Sequence, residues 1–286
     1  MPATSSPPDP MPLVAQVAAL MRDVAERVVM PRHRALAAHE IVEKSPGELV
    51  TCVDREAEAR LRDGLDRLGT GARIVGEEAC AEDPGLLDGI GSGAVWLVDP
   101  LDGTANFASG SGAFGIMVAL VEEGEPVASW MLDPVSGRMC HAERALGAWI
   151  DDQPVRARGS GRLRPIAALA SQFMAPDARA RTHRVAERRF ALEPIPRCAA
   201  ESYPRLVTGR NDVALFQRIL PWDHAAGVLF LTEAGGRATH WDGSAYRVGS
   251  TGAGLLAASD SSLWERGFEA LSGTLADGGS RRTLAA

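Results

Sequence analysis

The chain has 286 residues, 45% of them hydrophobic and 23% charged, which is enough material for a large buried core. It carries 30 basic and 37 acidic side chains, a formal net charge of −7, and no block rich in lysine or arginine. With only two tyrosines available for base stacking, this balance argues against binding of a nucleic-acid polymer.

Cysteine usage and the chain termini also restrict the class of protein. The four cysteines form no C-x-x-C pair, which disfavours a zinc site or a disulfide framework; they are Cys52, Cys80, Cys140 and Cys198. Scattered thiols are typical of a reduced, cytoplasmic protein, and no apolar run approaches the roughly 20 residues that span a bilayer. The proline-rich residues 1–11 are expected to be a disordered leader and residues 277–286 a frayed tail. Between them we expect one domain over 12–276, in approximate halves 12–160 and 161–276.

The first part of the chain begins with helical periodicity and ends in a short strand. Apolar residues recur at helical spacing after Leu13, and Thr51 or Asp54 is suited to cap a second helix. The predicted elements are a helix over 13–39 interrupted near Pro31, a loop over 44–50, a helix from 51 or 54 to about 68, a strand over 73–76 and a polar loop over 81–93.

From residue 95 the hydrophobic pattern shortens to that of strands joined by Gly, Pro and Asp turns. The sequence Asp-Pro-Val-Ser-Gly at 133–137 is a strong hairpin signal. The predicted strands are 95–98, 114–122, 127–133, 139–143 and 148–150. Consecutive short strands with tight turns predict a mainly antiparallel meander.

The second half alternates strands with helices, which predicts a layered α/β arrangement. A strongly apolar helix over 224–234 ends in Gly235-Gly236, a typical C-cap. The predicted strands are 166–171, 192–195, 213–216 and 254–258, and the helices are 178–188, 199–207, 224–234 and 261–271.

The most informative segment follows the apolar run 95–98. That run reaches two carboxylates three residues apart, Asp99 and Asp102. Pro100 is expected to end the strand ladder, Gly103 to allow a tight turn, and Thr104 to begin a helix. Carboxylates at a strand end, beside unpaired backbone N–H groups, suit hard cations together with a phosphate.

Other acids occupy comparable places along the chain. Glu77 and Glu78 follow a short strand, Asp223 precedes the apolar helix, and Asp54 lies near a helix start. Each has an ordinary structural explanation as a solvated turn or an N-cap. As a group without cysteine or histidine partners, they favour Mg²⁺ or Mn²⁺ over zinc. Acids this close would repel one another unless cations neutralised them.

At this point the sequence resembles the inositol monophosphatase family. The matching segments, in the same order and spacing, are Gly-Glu-Glu at 76–78, Asp-Pro-Leu-Asp-Gly-Thr-Ala-Asn-Phe at 99–107, Trp-Asp-His-Ala-Ala-Gly at 222–227 and Leu-Val-Thr-Cys-Val-Asp at 49–54. The resemblance implies an α+β fold, layered α-β-α-β-α as in the fructose-1,6-bisphosphatases. It also implies Mg²⁺-dependent hydrolysis of phosphomonoesters, inhibition by Li⁺, and a homodimer.

The resemblance also implies a role for each matching residue. The implied metal ligands are Glu77, Asp99, Asp102, Asp223 and the backbone carbonyl oxygen of Leu101. Glu77 and Asp99 would share a first ion with that carbonyl, Asp99 would bridge to a second ion, and a third, weaker ion would lie near Glu77. Thr104, oriented by Asp54, would act with Glu77 on the attacking water. The N–H groups of Gly103 and Thr104 would hold the phosphate.

The match weakens in the region expected to contact the alcohol part of the substrate. Several family members have an acidic residue, a few positions before Trp222, that binds inositol hydroxyls; Phe216 occupies this position here. The segment 198–203 also departs from the usual small residues, chiefly at Glu201 and Tyr203. The candidate substrate contacts are Asp102, Asp223, Ala199, Glu201, Phe216 and Arg218. Nearby arginines at 205, 210 and 218 are either solvated surface residues or contacts to a second phosphate.

The sequence therefore predicts hydrolysis of a small phosphomonoester, such as an inositol-monophosphate-like polyol or a sugar phosphate. Water activated by two or three Mg²⁺ ions would attack, with Mn²⁺ as an alternative metal and without a covalent intermediate. The alternatives are 3′(2′),5′-bisphosphate nucleotidase and fructose-1,6-bisphosphatase activity. A non-catalytic, partner-binding homologue is a further alternative, which the complete set of acids disfavours.

Overall fold

The computed structural model describes residues 11–45 and 48–275. The tail predicted at 277–286, and all of the predicted leader except Met11, lie outside these residues. Within the described part of the chain, the helices are too short or too polar to cross a membrane. The division of the chain into one domain with two halves remains a prediction.

The first helical segment is shorter than the sequence predicts. Helix α1 (Leu13–Val24) continues through a π-helical turn (Ala25–Val29) into the single turn α2 (Met30–Arg32). Pro31 has no N–H to donate to the preceding turn, and the π-helical turn lies directly before α2, which contains it. The helix then ends at Arg32 instead of residue 39, because His33 adopts an extended backbone conformation and Arg34 a left-handed one.

The segment predicted as a loop over 44–50 instead belongs to a hairpin. Strands β1 (Ile41–Ser45) and β2 (Glu48–Thr51) pair antiparallel, with Val42 opposite Val50. Of the Ser-Pro-Gly sequence that indicated a loop, Ser45 is the last residue of β1, and residues 46 and 47 lie outside the described residues. Helix α3 (Cys52–Arg67) follows at once and begins with the predicted cap, since Thr51 and Asp54 form a reciprocal capping box.

The meander predicted from residue 95 is confirmed and forms most of a seven-stranded sheet. Its strands, in both chain and spatial order, are β3 (Arg73–Gly76), β4 (Ala94–Asp102), β5 (Gly115–Glu122), β6 (Glu125–Leu132), β7 (Met139–Glu143), β8 (Gly147–Ile150) and β9 (Gln153–Pro154). Only β3 and β4 pair in parallel; the other neighbouring strands are antiparallel. Helix α4 (Glu77–Glu82) and a 3₁₀ turn (Pro84–Leu87) occupy part of the predicted loop 81–93. Helix α5 (Thr104–Ser109) follows β4.

The second half was predicted to alternate strands with helices, and its strands form a five-stranded sheet. Its strands are β10 (Ile166–Ala170), β11 (Ala191–Glu193), β12 (Val213–Phe216), β13 (Arg237–His240) and β14 (Leu255–Ala258), in the spatial order β11-β10-β12-β14-β13. The helices are α6 (Pro176–Arg189), α7 (Ala199–Val207), α8 (Pro221–Glu233) and α9 (Ser261–Leu275). The sequence did not predict β13, and α8 starts at Pro221 instead of residue 224.

The side chains of the two sheets define five layers. Trp96 and Val98 on one face of β4 pack with α1 and α3, whereas Leu97 faces a second core shared with α7 and α8. That second core also includes Ala214 on the inner face of the five-stranded sheet, and α6 and α9 cover its outer face. The order is therefore helix, sheet, helix, sheet, helix, as predicted. Strand β4 has apolar residues on both faces because both of its faces are covered.

Candidate metal and phosphate site

Sheet register brings the strand-end acids together. Gly76, the last residue of β3, pairs with Val98 of the parallel strand β4, so Glu77 and Asp99 leave the sheet side by side. Asp223 joins them from the first turn of α8, which packs against the same sheet. Carboxylate oxygens of Glu77, Asp99 and Asp223 all lie within 4.8 Å of one another. We call these three residues the acid cluster.

The end of β4 is irregular in the way that the site requires. Pairing with β5 is regular up to Asp99 opposite Met117 and resumes at Asp102 opposite Gly115, so Pro100 and Leu101 form a bulge. Within it, the Leu101 N–H donates to Asp99 Oδ1 at 3.0 Å. Gly103 then adopts φ +82°, and a Cβ at this position would lie 2.8 Å from a neighbouring carbonyl oxygen. Glycine is therefore needed both for the conformation and for the space.

A hydroxyl–carboxylate pair lies on one side of the acid cluster. Asp54 is 1% exposed and accepts hydrogen bonds from the Thr51 N–H at 2.9 Å and the Thr51 hydroxyl at 2.5 Å. The Thr104 hydroxyl lies 3.0 Å from Asp54 Oδ1 and 3.0 Å from the carbonyl oxygen of Leu101. A hydroxyl has one proton, so Thr104 can donate to only one of these acceptors at a time. Asp54 therefore holds Thr104 in place at the start of α5.

Burial and mutual repulsion raise the pKa values of these carboxyls. Burial raises the pKa of Asp54 to about 6, against the hydrogen bonds from Thr51. Burial raises the pKa of Glu77 to about 7. The charge of Lys44 lowers this pKa in part, and the charge of Glu78 raises it. The pKa values of Asp99 and Asp223 are raised well above their usual range by burial and by repulsion from the other acids. Several acids confined in this way favour a bound cation.

Asp102 lies beside the acid cluster but is held differently. Its Oδ2 accepts a hydrogen bond from the Ala200 N–H, at the start of α7, at 2.7 Å. Burial raises the pKa of Asp102 to about 6, and the backbone hydrogen bond from Ala200 limits the rise. Asp102 therefore links the strand-end acids to the helix that carries Ala199, one of the predicted substrate contacts.

The structure also reveals residues that the sequence patterns did not single out. Lys44, the only lysine in the chain, contacts Glu77 Oε1 at 2.6 Å and Glu78 Oε1 at 2.8 Å. Burial lowers the pKa of Lys44, but these carboxylates outweigh it and the net shift is upward. Glu58 caps α4 by accepting hydrogen bonds from the N–H groups of Glu78 and Ala79. The rarity of lysine in the chain was the one available signal for Lys44.

Glu201 does not lie where the sequence comparison placed it. Its carboxylate is bound by Arg138 at 2.7 Å, Arg205 at 2.7 Å and Arg210 at 3.1 Å, and it is not among the residues that line the cleft. Burial raises its pKa, but the arginines dominate and the net shift is downward. Arg205 and Arg210 therefore belong to an ion-pair cluster around Glu201 of α7, and neither arginine lines the cleft.

Phe216 and Arg218 do line the cleft. Phe216 is 5% exposed and stacks on Tyr203, with ring centroids 5.4 Å apart. The Tyr203 hydroxyl lies 2.8 Å from His224 Nδ1, and His224 Nε2 lies 3.1 Å from the carbonyl oxygen of Arg218. A carbonyl only accepts, so His224 carries its proton on Nε2 and accepts from Tyr203 at Nδ1. Burial lowers the pKa of His224 to about 4, in agreement with a neutral ring.

One cleft is lined by Lys44, Asp102, Phe216, Arg218 and His224. It encloses about 970 Å³ of space, including its open mouth. The acid cluster, Gly103 and Thr104 lie in it together with Ala199. Gln172, Phe173 and Arg197 also line the cleft and were not predicted from the sequence.

Comparison with known proteins identifies the family to which this arrangement of layers and acids belongs. The model of the inositol monophosphatase family matches residues 11–274, and the chain belongs to that family. An inositol-1-monophosphatase of Bacillus subtilis is 27% identical over 237 residues, covering 79% of this chain and 84% of that protein. A fructose-1,6-bisphosphatase/inositol-1-monophosphatase of Thermotoga maritima is 30% identical over 204 residues, covering 71% of this chain and 76% of that protein. The relatives thus carry phosphatase names with more than one substrate.

Solved structures support the same fold. A Thermotoga maritima inositol monophosphatase superposes with a TM-score of 0.76 at 24% identity, covering 92% of this chain and 97% of that one. The extragenic suppressor protein SuhB of Bartonella henselae superposes with a TM-score of 0.73 at 25% identity, covering 89% and 98%. The predicted layered fold is therefore confirmed.

Proposed function

We propose that this protein hydrolyses small phosphomonoesters with Mg²⁺, using water as the nucleophile. The observation that carries the proposal is the acid cluster, whose oxygens lie within 4.8 Å of one another beside the turn at Gly103 and Thr104. A metal-binding site and a phosphate-binding turn in one cleft suit this reaction better than either feature alone would.

The residues present fit hard divalent cations. The acid cluster offers only carboxylate oxygens, which Mg²⁺ and Mn²⁺ prefer, and burial followed by repulsion from the neighbouring acids raises the pKa of Asp99. The proposed ligands are Glu77, Asp99, Asp102, Asp223 and the carbonyl oxygen of Leu101. When bound, two or three such cations would neutralise phosphate oxygens, acidify a water molecule and stabilise the departing alkoxide.

The protein's own groups would orient the reactants. Thr104, held by Asp54 at 3.0 Å, is placed to hydrogen-bond the attacking water, with Glu77 as the nearby base. The first N–H groups of α5 have no partner within the helix, so those of Gly103 and Thr104 are suited to a phosphate oxygen. Asp223, in the first turn of α8, would face the alcohol that leaves.

Relatives and residues together limit the substrate. Inositol monophosphate is the default by family, and fructose-1,6-bisphosphatase activity is an alternative because a relative carries both names. Activity on 3′(2′),5′-bisphosphate nucleotides is a second alternative within the same chemistry. A non-catalytic role is disfavoured because every acid of the proposed site is present and grouped. By family, we expect a cytoplasmic homodimer that Li⁺ inhibits, and no nucleic-acid or membrane partner.

Phosphate release from a panel of monophosphates and bisphosphates tests the proposal. We expect release that requires Mg²⁺ and stops on addition of EDTA. Lithium should inhibit at concentrations that leave the fold unchanged by circular dichroism. No release from any member of the panel with Mg²⁺ or Mn²⁺ would contradict the proposed activity.

A further inference from the structure

One set of residues that line the cleft has an unusual chemical character for a site that would bind a neutral polyol. We call this set the alcohol wall; its residues are Gln172, Phe173, Ile195, Arg197, Phe216 and Arg218. Among the described residues, every acid that lines the cleft lies at the site of Glu77, Asp99, Asp102 and Asp223, and none lies on this wall. Hydroxyl groups of a polyol would find one amide there but no carboxylate, whereas an anion would find two guanidinium groups.

The two arginines approach from the elements that hold the acids proposed to face the leaving alcohol. Arg218 lies in the connection between β12 and α8, five residues before Asp223, and their charges interact. Arg197 lies in the connection before α7, which holds Asp102 through the Ala200 N–H. Both arginines therefore come from connections next to groups that carry or hold these acids, where the non-reacting end of a substrate would lie.

Arg218 is also fixed in place before any substrate arrives. Its guanidinium carbon lies 4.3 Å from the ring centroid of Phe173, which is 42% exposed at the cleft. A guanidinium stacked on a ring keeps its plane and its positive charge in a fixed orientation. The carbonyl oxygen of Arg218 is held by His224, which is held in turn by Tyr203. An arginine ordered in this way loses little freedom on binding an anion.

We propose that the alcohol wall is a second anion site, so that the preferred substrate carries a phosphate or carboxylate on its alcohol part. Arg218 is the main specificity-determining residue, and Arg197, an exposed residue that also lines the cleft, supports it. This inference rests on the proposed phosphatase function and narrows its substrate class. Phe216, buried against Tyr203 and His224, contributes an apolar surface in place of the hydroxyl-binding acid of other family members.

Two matched substrate pairs test the proposal. Fructose 1,6-bisphosphate is compared with fructose 1-phosphate, and 3-phosphoglycerate with glycerol 3-phosphate, as kcat/KM for phosphate release in Mg²⁺. In at least one pair, we expect the member with the second anionic group to be preferred by about tenfold or more. A charged hydrogen bond contributes at least enough free energy for this factor. Preference in the first pair identifies a phosphate, and preference in the second a carboxylate. Equal efficiency in both pairs would overturn the second anion site.

Variants assign the preference to its residues. The compared ratio is kcat/KM for the substrate with the second anionic group divided by kcat/KM for its partner without that group. Arg218→Met should reduce this ratio about tenfold, mainly through KM, and Arg218→Lys should restore part of it. The matched control is Arg237→Met, because Arg237 also stacks on an aromatic ring, Trp264 at 3.6 Å, but does not line the cleft. Its ratio should be unchanged. A ratio that survives Arg218→Met would overturn the assignment.

Two further measurements distinguish a failure of the second anion site from a failure of the phosphatase function. Arg197→Gln alters an exposed side chain and should lower the ratio severalfold, so it tests the wall even if Arg218→Met does not fold. An unchanged ratio in Arg197→Gln would remove that residue from the site. Absence of phosphate release from all four substrates would count against the phosphatase function itself, whereas equal turnover of all four would contradict only the second anion site.

Discussion

The two tyrosines of the chain offer a sharp test of how the alcohol side of the cleft is held. Tyr203 is 0% exposed and its hydroxyl lies 2.8 Å from His224 Nδ1. The hydroxyl of Tyr246 is also buried but has no hydrogen-bond partner among the described residues. Replacing each by phenylalanine removes the same atom from two different environments.

The expected effects differ in sign or size. Tyr203→Phe leaves the buried Nδ1 of His224 without a donor, and an unsatisfied buried acceptor costs about 1–3 kcal/mol. We therefore expect the free energy of unfolding to fall by about 2 kcal/mol. Tyr246→Phe removes a buried hydroxyl that gains nothing in the folded state, so it should be neutral or slightly stabilising.

Urea unfolding followed by circular dichroism measures both changes in free energy. The wild type, Tyr203→Phe and Tyr246→Phe would be compared at pH 7.5, where His224 is neutral in both the folded and the unfolded chain. A loss for Tyr246→Phe as large as that for Tyr203→Phe would refute the reasoning, since the hydrogen bond would then not be the cause. So would a Tyr203→Phe variant within about 0.5 kcal/mol of the wild type.

Three other predictions concern the acids and the turn. Burial raises the pKa of Asp54 to about 6 and that of Glu77 to about 7, so the folded, metal-free protein binds more protons than the unfolded chain between about pH 4 and 7. Its Tm in EDTA should therefore fall as pH rises through this window, although His224, with a pKa lowered to about 4, offsets one acid up to about pH 6.5. Mg²⁺ should raise Tm more at pH 8 than at pH 5; a Tm in EDTA that rises steadily with pH would contradict this. Asp99→Asn should abolish phosphate release yet raise the metal-free Tm at pH 8, because it removes one repelling charge; near-normal turnover would refute its role. Gly103→Ala, which strains φ +82° and meets a carbonyl oxygen at 2.8 Å, should lower both Tm and kcat, and wild-type values for both would show that the turn tolerates a side chain.

Local signals made much of the fold predictable from sequence. The start of α3 follows from Thr51 and Asp54, whose spacing allows a capping box that needs no distant partner. The meander follows from apolar alternation and turn residues. Strand β13 escaped prediction because Arg237–His240 is polar and acquires its strand conformation only by pairing with β14. The hairpin of β1 and β2 was missed because its short strands form by pairing with each other, which the loop-typical sequence at 45–47 obscures.

The residues of the candidate site were also predictable only where the signal was local in sequence. The strand-end acids were predictable because an acid that ends a buried strand is conspicuous in the sequence itself. The orientation of Glu201 was not, because it depends on Arg138, which lies 63 positions away in the sequence. Likewise, Arg218 meets Phe173 only through the packing of β10 beside β12. Contacts between residues distant in sequence require the assembled sheets.

A crystal structure with Mn²⁺ and inorganic phosphate, using the anomalous signal of manganese, tests the central claim most directly. We predict at least two Mn²⁺ peaks bound by Glu77, Asp99 and Asp223, with phosphate oxygens on the N–H groups of Gly103 and Thr104. Manganese bound elsewhere, or an ordered phosphate that does not touch this turn, would contradict the proposed site.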